Sequence, residues 1–165
     1  MFIGYPIVRE LMKSVNVRPA QDDDARDIFA WRNDEVTRKM SHSMNEIDWP
    51  SHLKWYLSSL DDPNKCLLIC YLPNNKKKIG IVRFNLENNV ALTSINIAPS
   101  IRGQGLAKIC LSNSITFFKE THFKVTEFKA EIKSNNLASR RAFEEVGFVL
   151  NHSENGIGYF TLSRA

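Results

Sequence analysis

Arg102-Gly103-Gln104-Gly105-Leu106-Ala107 is the run best suited to chemistry, because it joins a strand-like pattern to a helical one. Before it, Ala91-Leu92-Thr93-Ser94-Ile95-Asn96-Ile97 is partly β-branched and alternates toward its end, as a half-buried strand does. After it, Ala107, Leu111, Ile115 and Phe118 recur at helical spacing. Two glycines at such a junction let the backbone turn sharply and leave amide N–H groups uncovered by side chains. At a helix N-terminus, where the dipole is positive, those amides form a seat for a phosphate or pyrophosphate.

Two common phosphate loops are excluded. A P-loop needs two glycines separated by four residues and followed by Lys and Ser or Thr, and no such run exists. A dinucleotide-binding loop needs a third glycine and a place after the first strand, and this loop has neither. The run resembles instead the pyrophosphate loop of the GNAT superfamily of N-acetyltransferases: Arg or Gln, two residues, Gly, one residue, Gly or Ala. A second block, Ser134 to Phe148, resembles the late helix of that family, with Asn136, Ser139, Phe143, Gly147 and Phe148 at the expected spacing. The block also reads as a helix without any family. Asn135 or Asn136 can cap it, Ala138, Ala142 and Val146 share a face, and Gly147 supplies the stop. The resemblance spans Val15 to Leu150 and implies an α+β GNAT fold: a mixed, mostly antiparallel sheet of about seven strands with helices on both faces.

The chemistry implied is acyl transfer from acetyl-CoA to a primary amine, with no metal. By resemblance, the main chain near Ile95 and Ile97 pairs with pantetheine. Arg102, Gly103, Gln104, Gly105, Leu106 and Ala107 hold the pyrophosphate, and Asn136, Ser139 and Phe143 complete the cofactor side. Many relatives carry a Glu on strand four, where this chain has Leu92. Others pair a strand-five Glu with a late-helix Tyr. The matching residues here are Glu131, a candidate base, and Phe143, which has no proton to give. Glu131 also alternates with Lys129 and Lys133, as on any solvated strand face. His52 is a second candidate base or relay, since an imidazole titrates near neutrality.

The acceptor is sought in the first half of the chain. Phe29-Ala30-Trp31-Arg32-Asn33 and His52-Leu53-Lys54-Trp55 resemble segments of acetyltransferases that act on UDP-linked 4-amino sugars in pseudaminic and legionaminic acid synthesis. Under that reading Trp31 or Trp55 stacks on uracil, and Arg32 or Arg83 pairs bidentately with a diphosphate. A Trp near a helix end also fits a core, and Arg32 could simply pair with Asp34 or Glu35. Two alternatives stay open: a protein N-terminus as acceptor, as in ribosomal-protein acetyltransferases, and a non-catalytic acyl-CoA-binding module.

These residues must be positioned by an ordered set of elements. Val15–Arg18 reads as a strand, and Asp22 as the cap of a helix bearing Ala25, Ile28 and Phe29. Val36–Met40 is a short helix, and Trp49–Leu60 a longer one with Pro50 in its first turn. Cys66–Leu72, Ile79–Leu86 and Val90–Ile97 form an antiparallel meander with turns at Pro73-Asn74-Asn75 and Glu87-Asn88-Asn89. The loop helix runs over Gly105–Glu120, and Phe128–Ile132 is a fifth strand. Gly147–Asn151 and Tyr159–Leu162 close the sheet. Residues 1–14 are expected to be an N-terminal extension, and 15–165 one domain.

Composition agrees. The 165 residues, 43% of them hydrophobic, suit one core. No apolar run approaches the ~20 residues of a membrane span, and the N-terminus lacks the order of a signal peptide, so a cytoplasmic protein is expected. Cys66 and Cys70 would point the same way roughly 13 Å apart on one strand, too far for a disulfide. With Cys110 they read as small hydrophobes in a reducing compartment. The net charge of +4 includes Lys76-Lys77-Lys78, read as a solvated turn tip. No basic stripe interleaved with aromatics suggests nucleic acid, and anionic small molecules suit the charge better. A homodimer is a further expectation.

Overall fold

The computed structural model describes residues 14–165, in which seven strands and five helices alternate. Strand β1 (Asn16–Pro19) leads into α1 (Ala25–Asn33), α2 (Glu35–Met40) and α3 (Trp49–Asp61). A meander of β2 (Lys65–Leu72), β3 (Lys77–Glu87) and β4 (Val90–Ile97) follows. Then come α4 (Leu106–Lys119), β5 (Glu127–Lys133), α5 (Leu137–Val146), β6 (Val149–Glu154) and β7 (Ile157–Ser163). The expectation of an N-terminal extension falls on residues outside those described, apart from Ser14.

The sheet order is β1-β2-β3-β4-β5-β7-β6, and only the β4–β5 pair is parallel. That pair is short: Val90, Ala91 and Leu92 face Glu127, Phe128 and Lys129. Beyond it β4 runs on to Ile97 and β5 to Lys133 without pairing to each other, so the sheet opens between them. Such an edge offers unpaired backbone groups to a ligand.

Strand alternation assigns the two faces. Phe84 stacks on Phe118 of α4 at 4.2 Å between ring centres, and the Cys70 Sγ lies 3.5 Å from the Ser114 hydroxyl. Leu68, Cys70, Val82 and Phe84 therefore face α4. Ile81 and Arg83 face the other way, toward α1 and α3, and their cross-strand partners Asn96 and Ser94 share that face. Leu67, Leu68, Ile69 and Cys70 are all buried, so both faces of the sheet are covered there.

Two local expectations are corrected. Asp22 does not cap α1. Asp22–Asp24 form a short 3-10 turn, and it is Asp24 that accepts the Gln21 amide at 2.8 Å. Asp24 is fully buried and binds Arg18 through both carboxylate oxygens (2.7 and 2.8 Å) and the Lys78 ammonium at 2.7 Å. Lys78 also meets Asp27 at 2.8 Å, so it ties β3 to α1 rather than tipping a solvated turn. Burial alone would raise the Asp24 carboxyl, but these donors outweigh it and hold it at about 2. In α5, Ala142 and Phe143 are buried, while Ala138 is exposed. Gly147 ends that helix at φ 115°, and Asn136 caps it by accepting the Ser139 amide at 3.2 Å.

Candidate active site

Two cavities meet at Asn96. The larger, about 580 Å³, lies where the sheet opens. Its walls are Ile95, Asn96 and Ile97 of β4, the glycine loop, Val36 to Met40 on one side, and Asn136 to Glu145 of the α5 region on the other. Gly103 and Gly105 both hold left-handed backbone, at φ 76° and 73°, which side-chain-bearing residues adopt only under strain. A Cβ on Gly103 would meet nothing within 4 Å, so the loop is open above it. Gly105 starts α4 without a side-chain cap, which leaves the amides of the first turn free at the cleft. Leu106, Ala107 and Lys108 line it there. These features fit a pyrophosphate, and the unpaired β4 edge fits an extended amide-bearing arm.

Arg102 lines the same cleft, but its guanidinium is clamped on α2. It donates to Asp34 Oδ2 at 2.7 Å and to the Thr37 hydroxyl at 2.5 Å, and that hydroxyl donates to Asn96 Oδ1 at 3.3 Å. Asp34 also caps α2 by accepting the Thr37 amide. Asn136 and Ser139 line the cleft. Gln104 is exposed and is not part of its wall, and Phe143, also absent from the wall, is buried in the core edge-on against Phe148 at 4.9 Å.

The smaller cavity, about 240 Å³, lies on the opposite face of the sheet from α4. Ile28 and Arg32 of α1 line it from one side, four residues apart and hence on one helical face. Ser51, His52 and Trp55 of α3 line another, and Ile81, Arg83 and Asn96 form the sheet wall. Trp31 is one step round α1 from Arg32, so it turns into the core and does not line this cavity. Trp55 is the aromatic wall instead, with the Arg83 guanidinium 5.6 Å from its ring centre.

Neither arginine has a carboxylate partner among the described residues. Arg32 donates from one nitrogen to the Ser43 carbonyl at 2.9 Å, and its other terminal nitrogen, Nη1, is buried without a partner among the described residues. The expected partners are taken, Asp34 by Arg102 and Glu35 by Lys39. Arg83 donates to the Ser94 hydroxyl at 3.1 Å. Burial pushes both guanidiniums below their ordinary range, and Arg32 adds to the effect on Arg83.

His52 is buried among Phe29, Trp49, Trp55 and Tyr56. Its Nε2 lies 2.9 Å from the Ala25 carbonyl, so Nε2 carries the proton and donates. Burial, with Arg32 nearby, pushes its pKa down despite that hydrogen bond. That shift favours the neutral imidazole. Glu131 lies elsewhere: it lines neither cavity, is part-exposed, and sits 3.4 Å from His42 in the segment after α2.

Residues 14–149 match the family model for the acetyltransferase (GNAT) domain. A domain from Methanocaldococcus jannaschii superimposes with a TM-score of 0.79 at 22% identity, covering 91% of this chain and 98% of that one. Spermidine N-acetyltransferase from Vibrio cholerae, solved with CoA and spermine, gives 0.80 at 17% identity over 92% and 96% of the two chains. Aminoglycoside acetyltransferase AAC(6')-Ib with coenzyme A gives 0.77 at 19% identity over 92% and 95%. No curated protein sequence matches. Among the described residues no helix is long and apolar enough to cross a membrane. With an open β4 edge and an uncapped glycine-loop helix in their expected places, the chain belongs to the GNAT family and is an acetyl-CoA-dependent N-acetyltransferase.

Proposed function

We propose that the enzyme acetylates a primary amine on an anionic small molecule, specifically the 4-amino group of a UDP-linked amino sugar. The observation that carries this reading is the pair Arg32 and Arg83, which line one cavity without a carboxylate partner among the described residues. Two partly desolvated guanidiniums side by side are costly unless an anion joins them. A diphosphate meets both, and Trp55 offers a face for a base.

The solved relatives named above act on spermidine and on aminoglycosides. Both are polycations at neutral pH, and this cavity would repel them. A protein N-terminus is the remaining alternative within the enzyme class; it brings no diphosphate and leaves the arginines unpaired.

When bound, acetyl-CoA supplies the acetyl group as an activated thioester. The chain's own part is positional. First-turn amides of α4 with Gly103 and Gly105 take the pyrophosphate, and the β4 edge at Ile95 and Ile97 aligns the pantetheine arm. Asn96 borders both cavities, so an acceptor held through its diphosphate by Arg32 and Arg83 presents its amine toward the place where the two meet.

An acceptor panel tests the reading. The enzyme should acetylate a UDP-linked 4-amino sugar with a kcat/KM well above that for spermidine, kanamycin or ribosomal N-terminal peptides. A preference for any of those three would overturn it. The homodimer proposed from sequence is read out by light scattering on the same preparation.

A further inference from the structure

We infer that His52 is a specificity-determining residue, whose Nδ1 lone pair accepts a hydrogen bond from a neutral N–H or O–H of the bound acceptor. The inference rests on the reading that this cavity receives the acceptor, and it narrows the acceptor class further.

Three observations carry it. First, Nε2 is committed: at 2.9 Å from the Ala25 carbonyl it must bear the proton, which fixes the tautomer and leaves Nδ1 as an acceptor. Second, His52 is 1% exposed and lines the cavity, and Nδ1 is buried with no hydrogen-bond partner among the described residues. Buried polar atoms are almost always paired, so an orphan on a residue that lines a cavity points to a ligand atom as its partner. Third, the other orphan, Nη1 of Arg32, belongs to the same cavity. One wall therefore asks for an anion and the other for a donor.

The donor must be neutral. An ammonium at Nδ1 would share a small cavity with Arg32 and Arg83, whereas a hydroxyl or an uncharged amine brings no like charge. The ligand chemistry that satisfies the whole cavity is an anion with a hydroxyl or neutral amine close by. A phosphorylated or nucleotide-linked amino sugar has both. A polyamine has donors without the anion, and a simple acyl phosphate has the anion without the donor.

Two substitutions separate this role from a structural one, because Gln and Asn mimic different ring nitrogens. His52→Gln keeps a donor for the Ala25 carbonyl and removes the lone pair at the Nδ1 position. His52→Asn keeps an acceptor there and cuts the tie to Ala25. The probe is a UDP-linked 4-amino sugar, with acetyl-CoA varied separately. Expected is a roughly tenfold higher acceptor KM for His52→Gln, with Tm and acetyl-CoA KM close to wild type. His52→Asn should show the reverse, a lowered Tm with acceptor KM within about threefold. A purely structural histidine gives wild-type kinetics in His52→Gln and overturns the inference.

If both variants fail to fold, 15N NMR of the histidine-labelled wild-type enzyme decides. The Nδ1 resonance of His52 should report the neutral Nε2–H tautomer and move when the UDP-linked sugar is added, and not when coenzyme A is added alone. An unmoved resonance in the presence of turnover, or a protonated ring, contradicts the inference. Absence of turnover with this probe instead overturns the acceptor reading on which it rests.

Discussion

At the scale of residues, the site is a pair of guanidiniums with no carboxylate partner among the described residues. Arg32, Arg83 and His52 line one cavity, while Asp34 serves Arg102, Glu35 serves Lys39, and Asp24 serves Arg18 and Lys78. A charge-assisted contact is worth ~1.5–3 kcal/mol. Arg83→Ala should therefore raise the acceptor KM roughly 10- to 100-fold and leave the acetyl-CoA KM little changed, as steady-state kinetics would show. On the cofactor side, Gly105 holds φ 73° at the start of α4, where a β-branched residue is both strained and obstructive. Gly105→Val should weaken acetyl-CoA binding at least tenfold, about 1.4 kcal/mol, by calorimetry on folded protein. Glu131 faces His42 and lines neither cavity, so Glu131→Gln should keep kcat within about threefold.

At the scale of elements, the 3-10 turn before α1 anchors that helix through a buried ion cluster. Asp24 is held at about 2 against an unfolded value of ~3.9. A depressed carboxyl stabilises the fold above its unfolded value and loses that stabilisation as pH falls toward the folded one. The contribution, about 2 kcal/mol, should be present at pH 5 and lost between about pH 4 and pH 2 in acid-unfolding curves. Asp24→Asn leaves Arg18 and Lys78 facing a neutral amide, and should cost about 3–5 kcal/mol in urea denaturation. This cluster was hidden in the sequence. A run of three aspartates reads as a cap, because nothing local says that Arg18 and Lys78, six and 54 residues from Asp24, converge on it. The elements themselves were legible, since β2–β4, α4 and α5 follow from hydrophobic period, turn residues and the Gly147 stop. Trp31 was misread because an aromatic beside an arginine looks like a ligand wall. One helical step of about 100° sends the two to different sides. Asn96 could have been found by the same alternation that places Ser94 and Leu92 on one face of β4.

At the scale of the whole molecule, Asn96 borders both the cleft at the open β4–β5 junction and the smaller cavity, and the Arg102–Asp34–Thr37 clamp joins the glycine loop to α2. The glycine loop and late helix showed the fold and cofactor in the sequence, because both depend on local backbone geometry. Of the smaller cavity the sequence offered Arg32, His52, Trp55 and Arg83 by resemblance, but not that they share one wall with Asn96, because the cavity is assembled from α1, α3, β3 and β4. Its sign of charge is the central claim, and titration of UDP into the coenzyme A-saturated enzyme tests it most directly. Wild type should bind UDP, Arg83→Ala at least tenfold more weakly, and excess spermidine should not displace it. Tight spermidine binding with no UDP binding, unchanged in Arg83→Ala, would contradict it.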